Sequence, residues 1–207
     1  MSKINWNGSV LLAPVPAAMV SCGDMDKPNI LTIAWTGIIC SNPPRLYISV
    51  KPQRFSHDLI KSTKTFVVNL TSRQLLKSAD WCGVKSGSDT DKFKETGLSC
   101  VASPVLGIPM IDESPLSLEC RVYDILELGS HDMFLADIVG VSADETLLDH
   151  SGKLCLDRAE LIAYSHGEYF ALGEKLGTFG FSVMKKKTVK RKLKDENKTK
   201  KMGAPRA

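Results

Sequence analysis

Three apolar, β-branched runs crowd into the stretch between Pro28 and Leu70, and their spacing constrains the fold more than any other feature. Ile30–Cys40 (ILTIAWTGIIC) alternates loosely and has strand composition; Arg45–Lys51 (RLYISVK) and Thr65–Leu70 (TFVVNL) read as a second and third strand. Asn42-Pro43-Pro44 separates the first from the second, and Pro52 ends the second. Only a short helix, Phe55–Ser62, fits between the second and third. Strands this close, without regular alternation with long helices, exclude a doubly wound parallel sheet. They predict a mainly β fold, a mostly antiparallel barrel with a few peripheral helices.

The rest of the chain agrees with that reading. Residues 9–22 are apolar but carry Pro14 and Pro16, which suits an edge strand or an irregular entry segment. Ser72–Cys82 has apolar residues at helical spacing, and Thr90–Thr96 follows a Ser/Gly/Asp loop as a further helix. Long strands are expected at Ser117–Leu128 and Met133–Val141, joined by a turn at Gly129-Ser130-His131-Asp132. Leu156–Ile162 is helix-prone, and a short strand surrounds Tyr169. No run approaches the roughly 20 apolar residues of a membrane span, and no secretory signal pattern opens the chain.

The net charge of +4 conceals an asymmetry. Residues 185–207 hold eleven Lys/Arg and two acids, a local +9, so the remaining body carries −5. Residues 1–183 are therefore read as one folded domain and 184–207 as a basic tail expected to be disordered. The tail is read as a solvated appendage rather than a nucleic-acid site. Six cysteines lie far apart without a C-x-x-C pair or metal-type spacing, which points to reduced thiols and a cytoplasmic protein.

Residues with chemical potential cluster around the first helix. Ser56 is placed to cap it, leaving free backbone N–H groups where the helix dipole favours an anion, and Arg54 can add a charge-assisted contact to phosphate oxygens. An ordinary N-cap beside a surface arginine has the same pattern. Ser86-Gly87-Ser88-Asp89-Thr90-Asp91-Lys92-Phe93 offers a capping box between Ser88 and Asp91, a glycine-containing approach, and a lysine for a phosphate; a polar loop entering a helix looks alike. Trp35 between Thr32 and Thr36 suits a planar heterocycle, or barrel packing. His131 in the hairpin turn is placed to reach a ligand. No catalytic elbow, zinc motif or dinucleotide fingerprint is present, and the four histidines are scattered, so no metal site is expected.

Together, NILTIAWTGIICSNPPRLYISVKPQRFSHDLI, TFVVNL, WCGVKSGSDTDKF, LECRV, GSHDMFLADIVGV and LGEKLGTFGFS resemble the flavin reductase-like FMN-binding split barrels, most closely the flavoredoxin branch. The resemblance spans about residues 9–182. It implies FMN as cofactor and a homodimer with one FMN per subunit. Arg54, Phe55 and Ser56 then fall at the phosphate, with Ser86, Gly87 and Lys92 as further contacts. Asn29, Thr32, Trp35 and Thr36 follow the ring and ribityl chain. Ser49, Val50 and Lys51 edge the ring, Asn69 and Leu70 end the third strand, and His131 and Tyr164 approach the exposed side of the flavin.

Donors and cations near the ring would stabilise negative charge on the reduced flavin, so no separate catalytic acid or nucleophile is required. The function implied is an oxidoreductase passing electrons from NAD(P)H or a reduced protein to an acceptor that the sequence does not name. A non-enzymatic FMN carrier between protein partners, or a flavin-storage module, stays open.

Overall fold

The computed structural model describes residues 1–185. In chain order its elements are β1 (Val15–Pro16), β2 (Ala18–Gly23), β3 (Pro28–Ile33), β4 (Thr36–Ser41), β5 (Pro44–Val50), α1 (Phe55–Thr63) and β6 (Thr65–Leu70). A 3-10 turn at Arg73–Leu75 leads into α2 (Leu76–Val84), followed by α3 (Lys92–Thr96), β7 (Cys100–Ala102), β8 (Pro109–Ile111), β9 (Leu116–Glu127) and β10 (Asp132–Ala143). The short strands β11 (Ile162–Ser165) and β12 (Glu168–Ala171) form the last hairpin. Residues Met1–Leu172 make one compact unit. From Gly173 a second unit begins, whose described part has one 3-10 turn, Phe181–Val183. The basic-tail expectation falls, apart from Met184 and Lys185, outside the described residues.

Seven strands form one antiparallel sheet in the order β3-β2-β6-β9-β10-β5-β4. Although β3 and β5 lie far apart in that order, Ser49 N–H donates to the Trp35 carbonyl at 2.9 Å. That bond extends the β4–β5 ladder by one rung, and because only Ala34 and Trp35 link β3 to β4, the two edge strands of this order, the sheet curls so that its edges approach each other at Trp35. Ile30–Cys40, expected as one strand, is consequently two: Ala34 and Trp35 leave the ladder where the chain crosses this seam.

β2 is buried along its whole length, with Ala18, Val20 and Cys22 in the barrel core beside Leu31, Ile48, Phe66 and Phe134. Met19, on the opposite pleat, packs with Ile30, Leu75, Ala79, Cys82 and Phe93 against α2 and α3. Burial on both faces explains the unbroken apolar run. It also corrects the edge-strand expectation for residues 9–22: the prolines lie in or before β1, and β2, which contains none, is free to be central. Leu156–Ile162 yields only a 3-10 turn at Leu156–Arg158, because Glu160 takes a left-handed φ of 47° and stops helix growth. The β7–β8 hairpin was not expected from the sequence; at three residues each, its strands carry little periodic signal.

Asn69 is fully buried and joins four segments. Its Nδ2 donates to the Met19 carbonyl and the Ser21 hydroxyl, both at 3.0 Å. Its Oδ1 accepts from Ile111 N–H at 3.2 Å and the Ser117 hydroxyl at 2.9 Å. The expected outcome for Asn69→Ala is a loss of roughly 1–3 kcal/mol of stability in urea unfolding, the cost of buried groups left without partners.

Candidate functional site

The seam at Trp35 opens into a cavity of about 510 Å³, within the range of small-molecule sites. Five regions supply its walls: Thr32 to Trp35 from the end of β3; Ser49, Val50 and Lys51 from the end of β5; Arg54; Asp80, Gly83 and Val84 from α2; and His131, Tyr164 and Tyr169 from two hairpins. Eight of the residues expected from sequence therefore share one space: Thr32, Trp35, Ser49, Val50, Lys51, Arg54, His131 and Tyr164.

One wall is aromatic. Trp35 and His131 pack with ring centroids 4.6 Å apart, tilted by 38°. Gly129, at φ 93°, allows the tight β9–β10 turn that presents His131, whose Nδ1 lies 2.9 Å from the Ser130 hydroxyl. Burial lowers the His131 pKa below the ordinary histidine value, and the neighbouring Lys51 charge adds to the shift, so the ring is neutral at pH 7. Across the cavity Tyr164 and Tyr169 meet edge to face at 5.3 Å. Tyr169 donates to Asp80 Oδ1 at 3.1 Å. Burial, then this carboxylate, pushes its phenol up to about 12.

The charged end is built on α1. Its N-cap position is Arg54, not Ser56, and no side chain caps it; His57 N–H donates to the Arg54 carbonyl at 2.8 Å, while the Phe55 and Ser56 amides have no acceptor among the described residues. Arg54 Nη1 donates to the Gly83 carbonyl at 3.0 Å, docking the guanidinium on the C-terminal end of α2 while leaving its other donors available. Ser56 lies one turn position deeper, buried, and accepts from Asn29 Nδ2 at 2.6 Å. Gly87 closes over this pair: a Cβ there would overlap Asn29 Oδ1 and come within 2.9 Å of Phe55 Cδ1. Phe55 itself is 43% exposed.

Lys92 belongs to the same layer. It is only 2% exposed, and its Nζ donates to the Cys82 carbonyl at 2.7 Å. Among the described residues no carboxylate comes within ion-pairing distance of it. The nearby Cys22 and Cys82 thiols are each pushed up to about 11 by burial, so neither supplies a thiolate. Burial lowers the Lys92 pKa, and Arg54 presses in the same direction. Lys92 is thus a buried amine without a carboxylate among the described residues, close to a guanidinium, although it does not line the cavity itself.

Other expected residues have different tasks. Thr36 Oγ1 donates to the Tyr47 carbonyl at 2.6 Å and is turned toward β5 rather than the cavity. Asn69 is the core junction described above, and Leu70 offers its carbonyl to Ser114 at 3.0 Å. Ser86 bonds the Ser88 hydroxyl at 2.8 Å in an exposed loop. The expected Ser88–Asp91 capping box is replaced by Asp91 alone, which accepts from Lys94 N–H at 3.1 Å as the cap of α3. Asp80, Gly83, Val84 and Tyr169 escaped the sequence reading. Gly83 alone carried a usable signal, a glycine at a helix end, where a Cβ would press on Thr32 at 3.4 Å.

Comparison with known proteins matches residues 11–173 to the flavin reductase like domain. Among solved structures, flavoredoxin of Desulfovibrio vulgaris (Miyazaki F) superposes with a TM-score of 0.82 at 28% identity, covering 88% of this chain and all of that one. Flavoredoxin from Methanosarcina acetivorans gives 0.80 at 26% identity, covering 89% and all respectively. An uncharacterized protein of Pyrococcus abyssi is 28% identical over 169 residues, 82% of this chain and 96% of its own. The curled seven-stranded sheet is the split barrel of these proteins, and the chain belongs to the flavin reductase-like domain family.

Proposed function

We propose that the cavity binds FMN and that the protein is an FMN-dependent oxidoreductase, receiving electrons from NAD(P)H or a reduced protein and passing them to an acceptor. The observation that carries the phosphate end is Lys92, buried without a carboxylate partner beneath Arg54 and the uncapped start of α1. A phosphate there would restore charge balance to the ammonium and occupy the free amides. The Trp35–His131 wall suits the flat ring, and Ser49 to Lys51 border its edge. When bound, FMN supplies the redox chemistry, accepting a hydride equivalent and releasing electrons.

The protein's own residues orient and charge the site. Lys51 is a cation beside the ring position and favours the negative charge that reduction places on a flavin. His131, neutral at pH 7, adds a polar edge without repelling a cationic nicotinamide. No side chain need act as nucleophile, which agrees with the lack of such a motif. The likeness to two flavoredoxins supports a second reading, an electron carrier in which FMN stays bound between protein partners. The assembly proposed is a homodimer, since the edge strand β4 presents Ile38 and Ile39, 66% and 46% exposed. All six cysteines are free thiols, which suits the reducing cytoplasm as location. No described helix is long and apolar enough to cross a membrane.

Three outcomes are expected. Arg54→Ala weakens FMN binding by roughly 1.5–3 kcal/mol in a fluorescence titration, the scale of a hydrogen bond to a charged group; unchanged affinity places Arg54 outside the site. Lys92→Met leaves the cofactor-free protein equally or more stable in urea, because an uncompensated buried charge is removed, yet lowers FMN affinity. Stability lost together with unchanged FMN affinity would make the ammonium structural. Anaerobic NADH or NADPH bleaches the flavin band of the loaded protein; reduction by dithionite but by neither nucleotide overturns the NAD(P)H reductase reading.

A further inference from the structure

The wall that carries Tyr164 and Tyr169 is built differently from the rest of the proposed cofactor cavity. Strands β3 and β5 and the His131 turn belong to the seven-stranded sheet, and α2 is packed into the second core through Ala79 and Cys82. The β11–β12 hairpin lies outside that sheet, paired among the described residues with the two-residue strand β1. Its root is well tied. Ile162 is buried and its N–H donates to the Thr71 carbonyl at 3.2 Å, while Arg73 N–H donates to the Glu160 carbonyl at 2.9 Å. Its outer end, His166 to Glu168, is exposed.

Local structure turns one face of this hairpin toward the cavity. Tyr164 and Tyr169 are directly paired across the two strands, so their side chains share a face, and both line the cavity. Ser165 and Glu168 are paired, so His166 and Gly167 form a two-residue turn, and their φ values of 51° and 91° match the primed turn such hairpins prefer. Among the described residues a single side-chain hydrogen bond ties the hairpin to the body, from the Tyr169 hydroxyl to Asp80 Oδ1 at 3.1 Å, and it is exposed. With its phenol pushed up to about 12, Tyr169 keeps the donated proton throughout the neutral range. An element rooted at one end and held at the other by one exposed bond belongs to the part of a fold that opens most readily.

We propose that the β11–β12 hairpin is a gate over the cavity, hinged where Ile162 meets Thr71 and latched by the Tyr169–Asp80 bond, and that this latch sets how fast a flavin enters and leaves. Its effect on FMN exchange rests on the FMN reading; the motion of the hairpin does not. A latch differs from a ligand contact in what its loss does. Losing a contact speeds release alone and weakens affinity by the same factor. Losing a latch raises the open fraction before and after binding alike, so entry and release both quicken and their ratio, the dissociation constant, is unchanged.

The test is stopped-flow measurement of FMN binding and release. Tyr169→Phe, which removes the hydroxyl and keeps the ring, is expected to raise both rate constants by about tenfold and to leave the dissociation constant within about twofold of wild type. In an Asp80→Ala background the same substitution changes neither rate further, because the bond is already gone. In the cofactor-free protein, hydrogen exchange of residues 160–172 is expected to rise in Tyr169→Phe and in Asp80→Ala, since a hairpin released from its support is only marginally stable. Unchanged rates overturn the proposal. So does faster release alone with affinity weakened to match, which makes Tyr169 a ligand contact, or an equal acceleration in the Asp80→Ala background. If the wild-type protein takes up no FMN, the FMN reading falls and hydrogen exchange alone decides: a rise in both variants supports the latched hairpin, and exchange equal to wild type overturns it.

Discussion

The start of α1 is held from three directions, and the arrangement of the site depends on those ties. Asn29 on β3 donates to Ser56 from below at 2.6 Å. Asp132, the first residue of β10, pairs with buried His57 at 2.8 Å, and the same ring meets Asp58 at 3.0 Å on its other nitrogen. Arg54 reaches sideways to the end of α2. Through these contacts one short helix is fixed to both sides of the barrel seam. Asp132 directly follows His131, so the tie that fixes the charged end also fixes the turn carrying the aromatic wall. The close approach of Gly87 to Asn29 and Phe55 seals this layer.

In the proposed site a phosphate would meet cations that, among the described residues, have carbonyl but no carboxylate partners, and the aromatic wall offers a flat ring surface. Trp35, part of that wall, sits in the two-residue link between the edge strands β3 and β4, where the curled sheet's edges approach.

Much of the frame was legible from local chemistry. Period-two runs located β5 and β6, proline and glycine marked their ends, and the Gly129 turn gave the β9–β10 hairpin. The site was legible where its residues lie on those strands or at the start of α1. What escaped depends on long-range packing. Asp80 and Tyr169, 89 residues apart, join only because the β11–β12 hairpin meets α2. Ser56 has the composition of a cap, but it is the second residue of α1, two past the N-cap Arg54, and accepts from Asn29, while Thr36 and Asn69 spend their polar groups on neighbouring strands. Lys92 reads from the sequence as a lysine for a phosphate at a polar loop entering a helix; its burial accompanies Phe93 entering the second core beside it. The central place of β2 was masked by prolines that stop one residue before it matters.

The most direct measurement compares FMN with riboflavin, which lacks the phosphate, in equilibrium titrations of the cofactor-free protein. If Arg54, Lys92 and the α1 amides form a phosphate seat, FMN binds about 100-fold more tightly than riboflavin, a difference of ~2.7 kcal/mol, and Arg54→Ala removes most of that preference. Equal affinity for the two flavins, or a preference that Arg54→Ala leaves intact, would contradict it.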